Sequence, residues 1–364
     1  MSTLPLGPWK TGIENTSDRT ALLKTALMEA VNVDINTDGI IQTRAGITFL
    51  SSGVKNLFHY AGVDYGVVDG VVSRLSPTGA SALFGPVFGQ VAWCVLNDEP
   101  VFSTLDGIWR ITPTQVKPIG VDTPGALTIT SKGEDRYGVA ATYLNADGEE
   151  GGLSGVYFVV GDPVLIPPPL QGNAKVQLYT TRPGGETLYA RRGSDYGPPA
   201  ETQGLSRLPG GSALRYWRGR LLVARGRTLY FSEPMRYGLT KTVGGFIQLD
   251  SKITFLEAVE SGIYVGLARG VVAFLAGNSP DQWEFRIASL LPAQAGSSAC
   301  LPTAQMDKNL QLADWVAVWL TPKGFALGST DGRVVYPQAD RLTGLALGSG
   351  GYLIAEDRLL ALAQ

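Results

Sequence analysis

A short pattern recurs six times along this chain and constrains its fold more than any other feature. Each copy is an alternating apolar strand, a Gly- or Asp-rich turn and a second short strand. A single hairpin cannot bury its apolar face, whereas several hairpins packed together can. Repetition of such hairpins is typical of β-propellers. The six copies span residues 65–75, 101–111, 220–231, 262–275, 324–336 and 351–362.

The glycine and proline content indicates the same fold class. Of 364 residues, 46 are Gly, 22 are Pro and 44% are hydrophobic. Gly and Pro between short apolar runs mark a turn-rich all-β protein. The first two repeats begin 36 residues apart, which suits a four-stranded blade. We therefore predict an all-β fold, a β-propeller of about six blades, with five or seven as alternatives.

The N-terminal segment differs from the repeats. Pro5, Pro8 and Gly12 predict an extended arm over residues 1–17, and Asp18 is a candidate cap for a helix that runs to about Ala30. We assign residues 1–33 to this arm and helix. The alternating segment 31–50 turns at Asp38-Gly39 and predicts a hairpin. Pairing of this hairpin with the last strands, near residues 353–362, would close a ring.

An interval without repeats, from 122 to 209, predicts an inserted domain. Five strand-like runs are separated by turn sequences such as Pro167-Pro-Pro and Pro183-Gly-Gly. Strands of this number and length suggest a small β-sandwich similar to a fibronectin type III module. The propeller would then consist of a first part, residues 34–121, and a second part, residues 210–364.

Charge and cysteine content exclude some classes of protein. The net charge is −2, so the chain as a whole is not drawn to nucleic acid or to anionic membranes. Cys94 and Cys300 both lie in apolar surroundings and are expected to be buried free thiols, which fits assembly in a reducing cytoplasm. We find no signal peptide and no apolar run of membrane-spanning length, and so expect no membrane span.

Catalytic patterns are weak. His59 is the single histidine, so a catalytic triad or a multi-histidine metal site would have to be built around it, and a strand histidine is the simpler interpretation. Asp147-Gly-Glu-Glu150 departs from the calcium-loop spacing and indicates a solvated hairpin tip. The segment 103–109 loosely resembles the Asp-box of propeller sialidases, which keeps a carbohydrate-active enzyme as an alternative. We predict no enzymatic activity, no metal and no cofactor.

The main charge asymmetry lies between residues 182 and 228. This segment has nine arginines against three acidic residues, Glu186, Asp195 and Glu201. Arginine forms bidentate contacts with carboxylates and phosphates, which predicts a docking surface for an acidic partner protein or for DNA. The alternative is that strand alternation scatters these side chains over several faces. The candidate interface residues are Trp9, Arg191, Arg192, Arg215, Trp217, Arg218, Arg220, Arg225 and Arg227.

Two segments resemble structural proteins of tailed bacteriophages. One is Glu29-Ala-Val-Asn-Val-Asp-Ile-Asn followed by the Arg44-Ala-Gly46 hairpin; the other is 217–234, followed by 246–249 and 262–266. These segments are similar to the propeller bodies of packaged-DNA stabilisation or tail-nozzle proteins. The resemblance implies a non-enzymatic virion protein of the tail, assembled in the host cytoplasm as a ring of identical subunits around the DNA channel.

The same resemblance implies the partners. They are other copies of the chain and neighbouring tail or connector proteins, with non-specific DNA contact as an additional expectation. A distal tail-tip or receptor-binding module is the alternative location, because the seven Trp and fourteen Tyr suit protein and carbohydrate surfaces.

Overall fold

The computed structural model describes residues 8, 11–17, 22–23, 25–28, 33–35, 38–43, 53–166, 175–303, 315–345, 350–355 and 358–363. The chain forms two compact units, Gly53–Asp250 and Met1–Ser52 with Ser251–Gln364. Within the described ranges the regular structure is all-β, apart from the 3-10 helix at Pro280–Gln282 and 3-10 structure at Thr303. The predicted all-β class is therefore confirmed. The division into four segments stays a prediction.

The predicted N-terminal helix is wrong where the structure describes it. β1 (Gly12–Ile13) and β2 (Ala26–Leu27) instead form a short parallel pair. The amide of Glu14 donates to the carbonyl of Leu27 at 2.8 Å, and Ala26 is buried. Helix propensity is a weak preference that tertiary pairing overrides, and here the strand of the arm supplies that pairing.

The described part of the N-terminal arm is bound to its own unit. The Asn15 amide donates to the carbonyl of Arg341 at 2.8 Å, and the Arg341 guanidinium donates to the carbonyl of Thr11 at 3.0 Å. The side chain of Asn15 also bonds both backbone groups of Thr343. Residues 11–16 are therefore held by residues 340–343.

The hairpin predicted around Asp38-Gly39 is confirmed. β3 (Val33–Ile35) pairs antiparallel with β4 (Ile41–Thr43), and Gly39 has φ +79°. This backbone conformation favours glycine, as the Asp-Gly sequence predicted.

The unit 53–250 begins with two four-stranded antiparallel sheets in which consecutive strands are neighbours. Their central hairpins are the first two sequence repeats, which confirms both. Sheets of this kind are the units from which propeller blades are built. The strands are β5 (Lys55–Tyr60), β6 (Val63–Val68), β7 (Val71–Ser76) and β8 (Gly79–Phe84), then β9 (Ala92–Leu96), β10 (Glu99–Thr104), β11 (Gly107–Ile111) and β12 (Val116–Pro118).

An aromatic core joins these two sheets. Phe102 is fully buried, with ring centroids 5.3 Å from Trp109 and 5.5 Å from Trp93. Phe58 stacks on the other side of Trp93, at 5.2 Å and with nearly parallel planes. Because aromatic side chains bury large areas and gain from tilted or offset contacts, this stack fixes the packing of one sheet on the other.

Residues 128–199 form one five-stranded sheet, with the order β14-β13-β15-β16-β17. The predicted strands are present, but the predicted two-sheet sandwich is not what the described residues of this segment form. β13 is 17 residues long and pairs with β14 on one side and β15 on the other, which joins runs that the sequence places in separate sheets. The strands are β13 (Thr128–Leu144), β14 (Tyr157–Ile166), β15 (Lys175–Thr180), β16 (Tyr189–Arg192) and β17 (Asp195–Pro199).

The rest of this unit is a further four-stranded sheet and a small two-stranded one. The central hairpin β20–β21 is the third repeat, and Leu214, Leu221 and Val223 pack with β9 and β10 in one buried cluster. The strands are β18 (Leu205–Arg207), β19 (Ala213–Trp217), β20 (Arg220–Arg225), β21 (Thr228–Phe231), β22 (Leu239–Lys241) and β23 (Phe246–Gln248), where β18 pairs with β22.

The second unit holds two more four-stranded sheets, packed around Tyr264, Phe274 and Trp319. The strands are β24 (Ile253–Val259), β25 (Gly262–Leu267), β26 (Val271–Ala276), β27 (Glu284–Ser289), β28 (Ala299–Pro302), β29 (Trp315–Thr321), β30 (Gly324–Gly328), β31 (Val334–Val335), β32 (Gly350–Ala355) and β33 (Arg358–Ala363). The last three repeats are the central hairpin β25–β26 of the first of these sheets, the outer hairpin β30–β31 of the second and the C-terminal hairpin β32–β33, so all six predicted hairpins are confirmed.

The pairing expected to close a ring is not formed by the described residues of the two terminal hairpins. β3–β4 and β32–β33 are separate two-stranded sheets. Each hairpin satisfies one edge of each of its strands internally, and sequence alternation does not specify the neighbour on the other edge.

Candidate interface

A cleft of about 340 Å³ lies within the unit 53–250. Its walls come from the β9–β10 turn, β10, β11, the segment after β12 and the segment before β22. Leu96, Val101, Ile119 and Leu239 give it an apolar side. The cleft therefore joins segments that are far apart in sequence.

Two glycines allow the backbones to meet at this cleft. A Cβ on Gly238 would lie 2.2 Å from the Cα of Gly120, and one on Gly120 would lie 2.5 Å from the carbonyl oxygen of Gly238. Gly120 also has φ +82°, which other residues rarely adopt. Both glycines line the cleft, so any side chain at either position would displace the chain there.

Carboxylates outnumber cations around the cleft. Four glutamates line it, against the two arginines Arg110 and Arg236. Arg236 bonds the carboxylate of Glu201, and Arg110 lies 3.9 Å from that of Glu99. The remaining two carboxylates have no arginine partner among the described residues, which leaves the lining with an excess of negative charge. The four are Glu99, Glu149, Glu150 and Glu201.

Neutral donors hold Glu150 in place. Its Oε1 accepts from the Thr142 hydroxyl at 2.6 Å and from the Tyr179 hydroxyl at 2.7 Å. Burial, and then the bond to Glu150, raise the pKa of Tyr179, so this phenol stays a donor at neutral pH. The interpretation of 147–150 as a solvated tip is therefore wrong for Glu150, which is half-buried and hydrogen-bonded.

Asp147 is bonded beside the cleft. Its carboxylate lies 2.8 Å from the amine of Lys117 and 2.8 Å from the guanidinium of Arg110, which are a cross-strand pair on β12 and β11. The hydrogen bond from Lys117 is the largest cause that lowers the pKa of Asp147. Among the described residues, no group of three or more His, Cys, Asp or Glu is placed to hold a metal ion.

One polar group of the cleft lining has no partner. Thr202 is only 3% exposed and lines the cleft, yet its hydroxyl makes no hydrogen bond within the described structure. A buried hydroxyl without a partner costs free energy, and such groups are usually satisfied by a ligand or by water.

Four of the predicted interface residues are used inside the chain. Arg191 bonds Asp162 at 2.9 Å and the Tyr196 hydroxyl at 2.9 Å, and Arg215 donates to the carbonyls of Trp93 and Leu214. Arg220 lies 3.6 Å from Glu233 and bonds a backbone carbonyl. Trp217 is buried. The structure thus favours an internal role for Arg191, Arg215, Trp217 and Arg220.

The other predicted arginines are exposed. Arg218 has φ +45° and lies over the Trp217 ring at 5.8 Å. The side chains of Arg192, Arg225 and Arg227 make no hydrogen bond or ion pair with described residues. Arg225 and Arg227 flank Gly226 at the tip of the β20–β21 hairpin, whereas Arg192 lies on β16. The structure therefore brings only Arg225 and Arg227 together as available cations. Trp9 lies outside the described residues.

The single histidine lies on strand β5, and the two cysteines do not form a disulfide. His59 Nδ1 lies 2.7 Å from Asp64 on the paired strand, with both side chains 63% exposed. Both thiols are free, as predicted; Cys94 is buried, and burial raises its pKa to about 12, while Cys300 is half-buried. No described helix has the length and apolar character needed to cross a bilayer.

Sequence reasoning missed the cleft. Its glutamates and Arg236 come from segments up to about 140 residues apart, and no local spacing connects them. The arginine-rich segment gave the one useful signal, because it includes the hairpin tip.

Comparison with known proteins gives little more. No protein-family model matches the chain, and no curated protein matches it. The chain is similar to the solved structures of YCF48 from Cyanidioschyzon merolae (12% identity, 82% of this chain and 89% of that one, TM-score 0.33) and apo AztD from Citrobacter koseri (13%, 80% and 73%, TM-score 0.32). It also matches a Myxococcus xanthus glutaminyl cyclase at 14% identity, over 62% of this chain and 66% of that chain, with a TM-score of 0.26.

Proposed function

We propose that this chain is a non-enzymatic structural subunit of a tailed-phage virion, a part of the tail that surrounds the DNA channel and contacts copies of itself and neighbouring tail proteins. Its fold is a propeller of about six blades, in which the sheet 128–199 is an insertion between the second and third blades. It is assembled in the host cytoplasm, which suits its two free thiols.

The observation that carries the proposal is an exposed apolar stripe on an edge strand. Phe158, Val160 and Val164 alternate along β14 and are 66%, 61% and 61% exposed. β14 is the end strand of its sheet, so its outer backbone groups are unpaired within that sheet. Long edge strands with apolar side chains are sites at which another chain pairs or packs, and isolated proteins usually protect them with charge or cover.

β13, the strand that pairs with β14, is also exposed along the part that contacts β14 alone. Most of the first half of β13, residues 128–136, is exposed, and there β13 pairs with β14 alone. A two-stranded ribbon of this kind cannot bury its own apolar face. Its stripe supports a role in contact between subunits, as the resemblance of the sequence to tail proteins implies.

Two measurements test this proposal. The full-length recombinant protein, sized by native mass spectrometry, is expected to form a ring, with six or twelve copies. Phage particles from the source of the gene are then purified and probed with an antibody against the protein. Presence in the tail supports the proposal, and absence from purified particles overturns it.

The ribbon supplies the matched variants. Phe158→Asp with Val160→Asp is expected to weaken assembly while leaving the fold intact, because both side chains are exposed. Tyr179→Asp would not serve as a control, because Tyr179 is buried. Glu186→Lys, an exposed substitution in the same unit, is the matched control. Equal assembly of the ribbon variant and this control would show that the stripe is not a contact.

A further inference from the structure

We propose that the Arg225–Gly226–Arg227 hairpin tip of one copy binds in the acidic cleft of a second copy. This proposal identifies the contact through which the self-association proposed above takes place, and it rests on that proposed function. The occupant is a second copy because this chain itself carries both halves of the pair: a tip with two unpaired guanidiniums and a cleft with excess carboxylate.

The tip is a tight two-residue hairpin turn. Arg225 pairs with Thr228, so Gly226 and Arg227 are the two residues of a tight turn. Gly226 has φ +62°, and glycine at the first position is typical of a type II′ hairpin turn. The strands behind it, including Leu222, Val223 and Leu229, are fully buried, so the arginines extend from a rigid base.

The cleft has the chemistry that an arginine side chain requires. Glu149 lies at its exposed rim and Glu150 deeper inside, which provides acceptors for the guanidinium. Leu96, Val101 and Ile119 provide an apolar wall for the methylene stem. The unpartnered hydroxyl of buried Thr202 is a further acceptor, and it is an observation independent of the glutamates.

The tip lies at one end of the sheet that contains β20, and the cleft lies beside the other end of that sheet. The Met235 amide, at the cleft, bonds the carbonyl of Gly219 at 2.8 Å, at the start of β20. The arginine tip follows the end of β20, which at about 3.3 Å per residue is about 20 Å away. A copy therefore cannot place its own tip in its own cleft. A second copy can, and the resulting head-to-tail contact propagates into a closed ring or a stack.

Nucleic acid is the competing partner for two adjacent arginines. The net charge of −2 does not favour it. The experiment therefore includes a DNA arm, with a random-sequence duplex as the probe.

The test uses the full chain and two charge reversals. Arg225→Glu with Arg227→Glu reverses the tip, and Glu149→Lys with Glu201→Lys reverses the cleft. Each is expected to assemble at a concentration at least about tenfold higher than the wild type, as measured by analytical ultracentrifugation. All four positions are exposed, so an unchanged circular dichroism spectrum is expected, with a small loss of melting temperature for the cleft variant because Glu201 pairs with Arg236. Arg192→Glu is the control for an exposed arginine outside the tip.

Mixing the two variants sharpens the test. The cleft-reversed copy has an arginine tip and a lysine cleft, and the tip-reversed copy has a glutamate tip and an acidic cleft. Each variant therefore repels itself, whereas in a 1:1 mixture both kinds of contact are complementary, so the mixture is expected to assemble at a concentration at which neither variant assembles alone. A chain with all four changes is expected to regain assembly, because a glutamate tip meets a lysine cleft. Association of the wild type is expected to weaken as salt rises.

The outcomes separate this proposal from the proposed function. If the wild type assembles and the tip variant assembles equally well, the tip–cleft contact is wrong, while the structural role in a virion stands. A wild-type protein that stays monomeric at its highest soluble concentration overturns the contact. Unchanged assembly together with loss of salt-sensitive duplex binding in the tip variant would show instead that the tip is a DNA surface.

Discussion

The aromatic core of β5–β12 and the ribbon of β13–β14 use similar side chains in opposite ways. Phe102 is fully buried between Trp93 and Trp109, whereas Phe158 is 66% exposed, with the Arg136 guanidinium 5.3 Å from the centre of its ring. Both phenylalanines lie in consecutive apolar residues of a strand, residues 101–102 in β10 and 157–160 in β14. The difference is that two sheets face each other in the first region, while β14 lies at the end of its sheet.

This comparison teaches that an apolar sequence pattern identifies a strand but does not identify the surface that covers it. Burial of an apolar strand contributes stability only if another surface covers it. The aromatic core is stabilising within one chain. The stripe on β14 leaves that apolar area for a partner, and this is why the two regions are expected to respond differently to the same substitution.

The largest expected effect is from Phe102→Ala. Truncation removes a fully buried ring and leaves a cavity between Trp93 and Trp109, so the free energy of unfolding should fall by about 3–5 kcal/mol. Urea unfolding followed by tryptophan fluorescence measures it. Phe158→Ala is the matched control on the ribbon, where the expected change is about 0.5 kcal/mol or less. Equal losses at the two positions would contradict the contrast drawn between the regions.

A smaller loss in the free energy of unfolding is expected from Tyr179→Phe, in the small hydrophobic core of the five-stranded sheet. This core contains few large side chains: Ala140, Leu153, Tyr179, Leu188 and Ala190. Loss of the hydroxyl removes the 2.7 Å bond to the half-buried Glu150 carboxylate, and bonds to charged groups contribute about 2 kcal/mol. Here a polar bond, and not ring area, is expected to carry the stabilisation.

The pH dependence identifies that bond. The pKa of Tyr179 is raised in the folded chain, so its contribution is fully present below its unfolded pKa of about 10 and is lost as pH rises further. Wild type should therefore lose stability above about pH 10 more steeply than Tyr179→Phe. Parallel pH curves for the two proteins would show that the hydroxyl is not held as described.

Local patterns predicted the hairpins but not their neighbours. All six repeats and the Asp38-Gly39 turn were predictable, because period-two alternation and glycine at positive φ are properties of a few adjacent residues. The predicted helix was wrong over its described residues, 22–23 and 25–28, because β2 pairs with β1 instead, which is a contact between segments 14 residues apart. The two-sheet sandwich was wrong because the length of β13, set by pairing on both sides, is not encoded in its pattern.

The candidate interface was only partly predictable. Arginine richness located Arg225 and Arg227, but composition does not distinguish them from Arg191, whose guanidinium is bonded to Asp162 and Tyr196. The cleft was not predictable, since Glu99 and Glu201 approach the same cavity only through the packing of β10 on β19 and the turns around them.

The smallest expected change in stability is from Asp147→Asn, where the aromatic region β5–β12 meets the end of β13. Asp147 follows β13, and its partners Arg110 and Lys117 belong to the two strands that end the aromatic region. The substitution should lower the melting temperature slightly at pH 7 and more at low salt than at high salt, because these side chains are about one-third exposed. Glu186→Gln, an exposed carboxylate without such partners, is the control for the loss of one charge.

Acid titration separates the ion pair from a general effect of charge. The pKa of Asp147 is lowered in the folded chain, so its stabilisation is present above its unfolded pKa of about 4 and is lost as pH falls through the folded value. Wild type and Asp147→Asn should therefore converge in melting temperature at the acid end of the titration and differ most near neutrality. A gap that stays constant down to the lowest pH would mean that Asp147 contributes through the shape of its turn and that the two regions are not joined by this charge.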